Sequence, residues 1–275
     1  LSQIPDAAAK AALDGGYKDN NSEDDVAKSS EDPVDVAVGS LSPMQKEVIP
    51  AKALAFALGF VDNGEPNLNN MEAIVSSDNY IMDGHHRWAG RILLDPKASV
   101  KVFKIDMPAD DVVTALNIYT KAKDLKGNSG EGDVKQFASL IPGTIDTFVT
   151  KGEDKFWPMM GKKPEEIKQI ITDKIGKGDF EKGKAILIAN AKELPIEIHP
   201  NAPVRLEMPV IDAKTGDLKA VLQKLNAGEL DFKFPFSPEV SKNLKGEEKP
   251  TEKEPVKEYI QEAKRFQQLA GIIKG

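Results

Sequence analysis

Apolar positions along this chain change period several times, and each change predicts an element. The first forty residues offer little to bury. A short helical stretch over 6–13 is followed by Gly15-Gly16 and a polar, acidic run over 19–32, so residues 1–40 are expected to form a flexible acidic arm. Folding is expected to start at Leu41-Ser42-Pro43. Ser42 would cap a helix carrying Val48, Ala53, Leu54 and Leu58, interrupted at Pro50. After a turn cluster at 63–67, two short strands over 73–76 and 80–82 flank the turn Ser77-Asp78-Asn79. A helix over 84–94 follows, and alternation over 100–105 predicts another strand. Asp110-Asp111 then reads as the cap of a helix with Val112, Val113, Leu116, Ile118 and Tyr119 on its apolar side.

A glycine-rich run at 127–132 marks a boundary, beyond which the period is mainly helical: 134–140, 164–175 and 180–194. Ile186, Leu187, Ile188 and Ala191 give the last of these a core face. Trp157 with Met159 and Met160 reads as core filling. An extended segment is expected from His199-Pro200 to Ile211, then a helix over 217–225 and a strand over 230–236. A charged, proline-containing linker over 238–255 precedes Val256, Tyr259, Ile260, Ala263, Phe266, Ala270 and Ile273 at helical spacing. That stripe predicts a docking helix over 256–275, packed on the chain's own body or on a partner subunit through 256–273. The fold class expected is α+β: an N-terminal α/β domain with a small mixed sheet over 41–126, a mainly helical second domain with short strands over 133–237, and the C-terminal amphipathic helix.

Composition narrows the function. A net charge of −7 disfavours nonspecific DNA binding, which needs a basic surface. With no cysteine there are no disulfides or thiolate metal sites. No apolar run approaches 18 residues, so neither a membrane span nor a secretory leader is expected, and a cytoplasmic location is. The first residue is Leu1 rather than Met, as expected of a trimmed or processed product.

The most specific segment is Ile81-Met82-Asp83-Gly84-His85-His86-Arg87-Trp88, which carries two of the chain's three histidines. It reads as strand, glycine turn and helix. The first turn of a helix presents unsatisfied N–H groups and positive dipole, and Arg87 adds a planar fork of donors, so an anion such as phosphate would be held there. The plainer reading is a turn glycine with Asp83 as helix cap and two ordinary histidines. Neighbouring side chains on a helix diverge by about 100°, so His85 and His86 are poorly placed to chelate one ion, and no metal site is expected.

In this order and context, residues from Leu41 to Asp106 resemble the ParB/sulfiredoxin-like superfamily. Gly84-His85-His86-Arg87 is similar to its Gly-x-x-Arg phosphate-binding turn, and Leu41-Ser42-Pro43-Met44-Gln45 to its upstream Pro-x-Gln segment. Partition-type members bind a nucleoside triphosphate at this turn and clamp DNA, for which this acidic chain shows no basic recognition helix. The Asp-Gly-His-His-Arg form is closest to the branch resembling free-serine kinases, where a glutamate after the upstream proline is the base. Here that position holds Gln45, an amide that cannot take a proton, with Glu47 two residues later. Sulfiredoxin chemistry needs a cysteine in the turn. A nuclease would need a carboxylate cluster that is not evident.

The resemblance implies a ParB-like phosphate- or nucleotide-binding protein, with phosphotransfer or hydrolysis as the chemistry open to it. Gly84, His85, His86 and Arg87 would bind phosphate. Asp83, His86 and Glu47 are the catalytic candidates, and the cofactor would be a nucleotide with Mg²⁺. The alternative is a non-catalytic structural or interaction protein on the same fold, for example a phage virion component.

Overall fold

A computed structural model describes residues 29–30, 32–64, 70–126, 131–210, 223 and 226–227. They form a mixed five-stranded sheet with helices, an α+β architecture. The strands are β1 (Val34–Ala37), β2 (Ser42–Pro43), β3 (Asn70–Val75), β4 (Tyr80–Asp83) and β5 (Ser99–Lys104), in the order β1-β5-β3-β4-β2. β1 is antiparallel to β5, β5 parallel to β3, β3 antiparallel to β4, and β4 parallel to β2. The expected β3–β4 turn is present. Asn79 takes φ 68, and Ser76 Oγ accepts from the Tyr80 N–H at 2.9 Å. Asp78 Oδ1 accepts from Ser76 Oγ and from the Ala109 N–H, tying this turn to the next helix.

The helices are α1 (Pro50–Asn63), α2 (His85–Leu94), α3 (Ala109–Ala122), α4 (Phe137–Lys151), α5 (Pro164–Ile170) and α6 (Phe180–Ala191). α5 runs on as a wider π turn over Ile171–Ile175. α1 and α2 cross closely: a Cβ on Gly90 would stand 2.7 Å from the Ala53 carbonyl oxygen, so only glycine allows that approach. Asn190 of α6 donates to the carbonyls of Leu93 and Leu94 at 2.9 and 3.1 Å, satisfying acceptors that the end of α2 leaves open.

Several expectations need correction. Residues 34–40 are not part of an arm: β1 pairs Val34 with Val102 and Val36 with Val100, and Val38 is fully buried. The β-branched alternation of Val34 and Val36 outweighs the acidic composition around it. Ser42 caps nothing. It lies in β2, opposite Tyr80, and α1 starts at Pro50 instead of being interrupted there. A proline at the first helical position loses only an N–H that would have no partner anyway. Asp110 and Asp111 stand in the first turn of α3 beyond the cap position, which Pro108 holds; there they still complement the helix dipole. α4 continues past residue 140 through Pro142, forgoing one backbone hydrogen bond.

Trp157 is not core. It is 65 % exposed, its ring edge-on to Phe56 at 5.9 Å, and Met160 is exposed too, while Met159 is buried. Glu153 accepts from the N–H groups of Lys155 and Phe156, folding this surface loop so that Trp157 turns outward. Nor does a second core begin at residue 133. Leu58, Trp88, Ile92 and Val100 belong to one continuous cluster with Phe137, Ile141, Ile145, Ile167 and Leu187. The arm over 1–28, the strand expected over 230–236, the linker and the docking helix lie outside the described residues, as does nearly all of 217–225.

Candidate functional site

β4 ends at Asp83 and α2 starts at His85, so the strand, glycine turn and helix read from the sequence are all present. Gly84 holds φ 98 and ψ 14, the left-handed region, and caps α2, its carbonyl accepting from the Trp88 N–H at 2.9 Å. A Cβ there would meet the Ala73 Cβ at 2.9 Å and Arg87 Nη2 at 3.3 Å. Gly84→Ala is therefore expected to cost about 1–3 kcal/mol from backbone strain, before any clash is counted. Urea unfolding measures it, and an unchanged midpoint would show that the turn tolerates a side chain.

Asp83 does not cap the helix. Its Oδ2 accepts from Arg87 Nη2 at 2.9 Å, one helical turn on. Arg87 is thus engaged inside the protein as well as facing the cleft beside it.

The histidines are turned to structural use. His85 Nε2 accepts from the Met44 N–H at 3.1 Å, and His86 Nε2 accepts from the Ile49 N–H at 3.0 Å. Both rings are buried. An acceptor nitrogen carries no proton, so each ring is neutral with its hydrogen on Nδ1. Burial, helped by the Arg205 and Arg87 charges, pushes His85 down to about 3. Burial and the charge of Lys52 hold His86 well below its ordinary value. His86, a catalytic candidate on the sequence, is thus placed as a neutral hydrogen-bond acceptor. The two imidazoles instead staple the loop between β2 and α1 onto the first turn of α2. What that turn still offers a ligand is its main chain, whose first N–H groups have no acceptor within the helix.

Over this turn lies a cleft with room for about 110 Å³ of solvent. Gln45, Met82, Gly84 and Arg87 line it, together with two cations that were not anticipated, Lys52 and Arg205. Gln45 donates from Nε2 to the Glu47 carbonyl at 2.8 Å. Glu47 itself is buried and is not part of the lining; its Oε2 has no hydrogen-bond partner, and its charge favours the charged form of Arg205. The candidate base thus sits behind the amide, not in the cleft.

Lys52 stands in the first turn of α1. Burial lowers its pKa first, then repulsion from Arg205, with Asp83 opposing. Arg205 comes from a 3₁₀ turn, Arg205–Glu207, in the segment expected to be extended. It is 9 % exposed, and its Nη1 is buried without a hydrogen-bond partner. A strap of chain over 195–210 delivers it. The His199 N–H donates to the Pro43 carbonyl, the His199 ring packs edge-on to Tyr80 at 4.6 Å, and the Val210 N–H donates to Thr120 Oγ1 at 2.9 Å. Two sequence signals pointed faintly to these cations. Lys52 is the one basic residue of α1, placed where the dipole disfavours it, and arginine is rare in a chain rich in lysine.

Among the described residues no group of three His, Cys, Asp or Glu side chains is disposed to hold a metal ion. Asp83 is, among the described residues, the one carboxylate lining the cleft and it is bonded to Arg87, so the donor set there does not suit Mg²⁺. No helix among the described residues is long and apolar enough to cross a membrane. No known protein family matches the chain, and neither a curated protein nor a solved structure does.

Proposed function

We propose that this protein binds a phosphate-bearing small molecule, such as a nucleotide, at the Gly84–Arg87 turn, and that binding rather than turnover is what the site is built for. The observation that carries this reading is Arg205: a guanidinium nine-tenths buried, one nitrogen without a partner, in the same cleft as a half-buried lysine and a helix N-terminus. Burying a cation is costly; the charge of Glu47 offsets part of that cost, and an anion in the cleft would relieve more by meeting the open Nη1. Gly84 lets the oxygens of such a ligand come close to the main chain. Support for turnover is thin, because both histidines are neutral acceptors and Glu47 stands outside the lining.

Calorimetry with ATP, ADP and CTP tests this. Binding is expected for the intact chain, weakened about 10- to 100-fold in Arg205→Gln, the value of a hydrogen bond to a charged group. No heat at millimolar nucleotide, with phosphate equally silent, would reject the reading. A second reading, a non-catalytic structural or interaction protein, is favoured by the Asp83–Arg87 pair, which commits the motif's arginine to the protein itself.

A further inference from the structure

We propose that the occupant of this cleft is the phosphoryl group of a phosphomonoester, bound as its dianion and without a divalent cation, with Lys52 and Arg205 as its direct partners. This rests on the phosphate-binding reading above and narrows it to one class of ligand.

Size is the first reason. Pockets that enclose a whole small molecule span roughly 300–1,000 Å³. A space of about 110 Å³ takes a phosphoryl head and leaves the remainder of the ligand outside.

Charge is the second. The lining carries Lys52, Arg87 and Arg205 against Asp83. Asp83 bonds Arg87 and only partly supports Lys52, while Lys52 and Arg205 share the cleft lining and Arg205 repels Lys52, each with burial working against its charge. His85 and His86 add nothing, being neutral, and Glu47 steadies Arg205 from outside the lining. Neither α1 nor α2 has an acidic residue in its first turn, so both helix starts stay positive where a dianion would sit. Two cations and the positive start of α2 would supply the neutralisation that Mg²⁺ supplies to a triphosphate. A metal ion brought in here would meet those cations and, among the described residues, a single carboxylate already bonded to Arg87.

The test titrates the full chain by calorimetry with inorganic phosphate, AMP, ribose 5-phosphate, cyclic AMP and ATP, each in EDTA and in excess Mg²⁺. AMP and ribose 5-phosphate are expected to bind equally with and without Mg²⁺. Their affinity should rise about fourfold from pH 5.5 to 7.5, as the second phosphate proton leaves near pH ~6. Cyclic AMP, a diester with one charge, should bind at least about tenfold more weakly, and Lys52→Gln should erase most of that difference. Inorganic phosphate separates the head group's share from that of the attached sugar. ATP that binds only with Mg²⁺ while the monoesters stay silent would overturn this inference and leave the phosphate-binding reading standing. Equal affinity for cyclic AMP and AMP would overturn the dianion. Silence in every arm would overturn both. The ligand series on the unaltered protein decides the matter even where a variant fails to fold.

Discussion

Replacing Trp88 with alanine is expected to remove about 3–5 kcal/mol of stability, a large share of what holds a domain folded. The indole is fully buried in the middle of α2, within the cluster that joins the sheet to α1 and to the helices that follow. Its Nε1 donates to the Val38 carbonyl at 3.0 Å, so truncation both opens a cavity and removes a buried hydrogen bond, leaving that carbonyl only the longer bond from the Leu41 N–H at 3.4 Å. Trp88→Phe keeps most of the volume and loses the hydrogen bond, and should cost less than half as much. Urea unfolding followed by circular dichroism measures both. A loss under about 1 kcal/mol for the alanine variant would mean that the core closes over the gap, contrary to the packing described.

Acid should destabilise the protein well before its carboxylates titrate. In the unfolded chain His85 takes up a proton near pH 6.5, whereas in the fold it stays neutral down to about 3, and His86 is shifted in the same direction. Between those limits the unfolded state binds more protons than the native one. Stability is therefore fully present above pH 6.5 and is lost progressively as the pH falls toward 3. Each pKa unit is worth about 1.4 kcal/mol, so the shift of His85 implies a loss of several kcal/mol by the acid end of that range, and His86 adds to it in the same direction. The structural cause is plain: a protonated Nε2 would point a hydrogen at the N–H of Met44 or Ile49, turning two attractive contacts into repulsive ones. Urea midpoints at pH 7.5, 6.0 and 5.0 test this above the range where Asp and Glu titrate. The slope should flatten in His85→Gln and His86→Gln, whose side-chain oxygens can still accept. A flat profile in the unaltered protein would show that the imidazoles carry protons in the native state.

What the sequence revealed and what it hid divide by range. The strand, glycine turn and helix around Gly84 were legible because period, turn chemistry and helix start all lie within about a dozen neighbouring positions. The α+β class followed from the same local signals. Hidden were the features made by distant partners. The histidines look like chemistry in one dimension, but the groups they hold are main-chain N–H donors of the loop before α1, which no side-chain pattern announces. Pro50 could equally break a helix or begin one, and only the pairing of Ser42 with Tyr80 decides. Trp157 was misplaced because hydrophobic composition carries no direction, whereas the hydrogen bonds of Glu153 do. Arg205 was missed altogether, since its link to Arg87 is purely spatial.

The strap has a practical corollary for anyone who would move this motif elsewhere. A peptide or graft spanning 41–106 would carry the glycine bend and its amides yet forfeit the guanidinium that the strap sets opposite them. It would also strip away the later helices whose side chains complete the shared interior around Trp88. Recognition in this molecule is therefore not portable as a cassette. It belongs to the folded ensemble of both stretches, and any transplant would have to bring the anchor points at Pro43, Tyr80 and Thr120 along with the loop they hold.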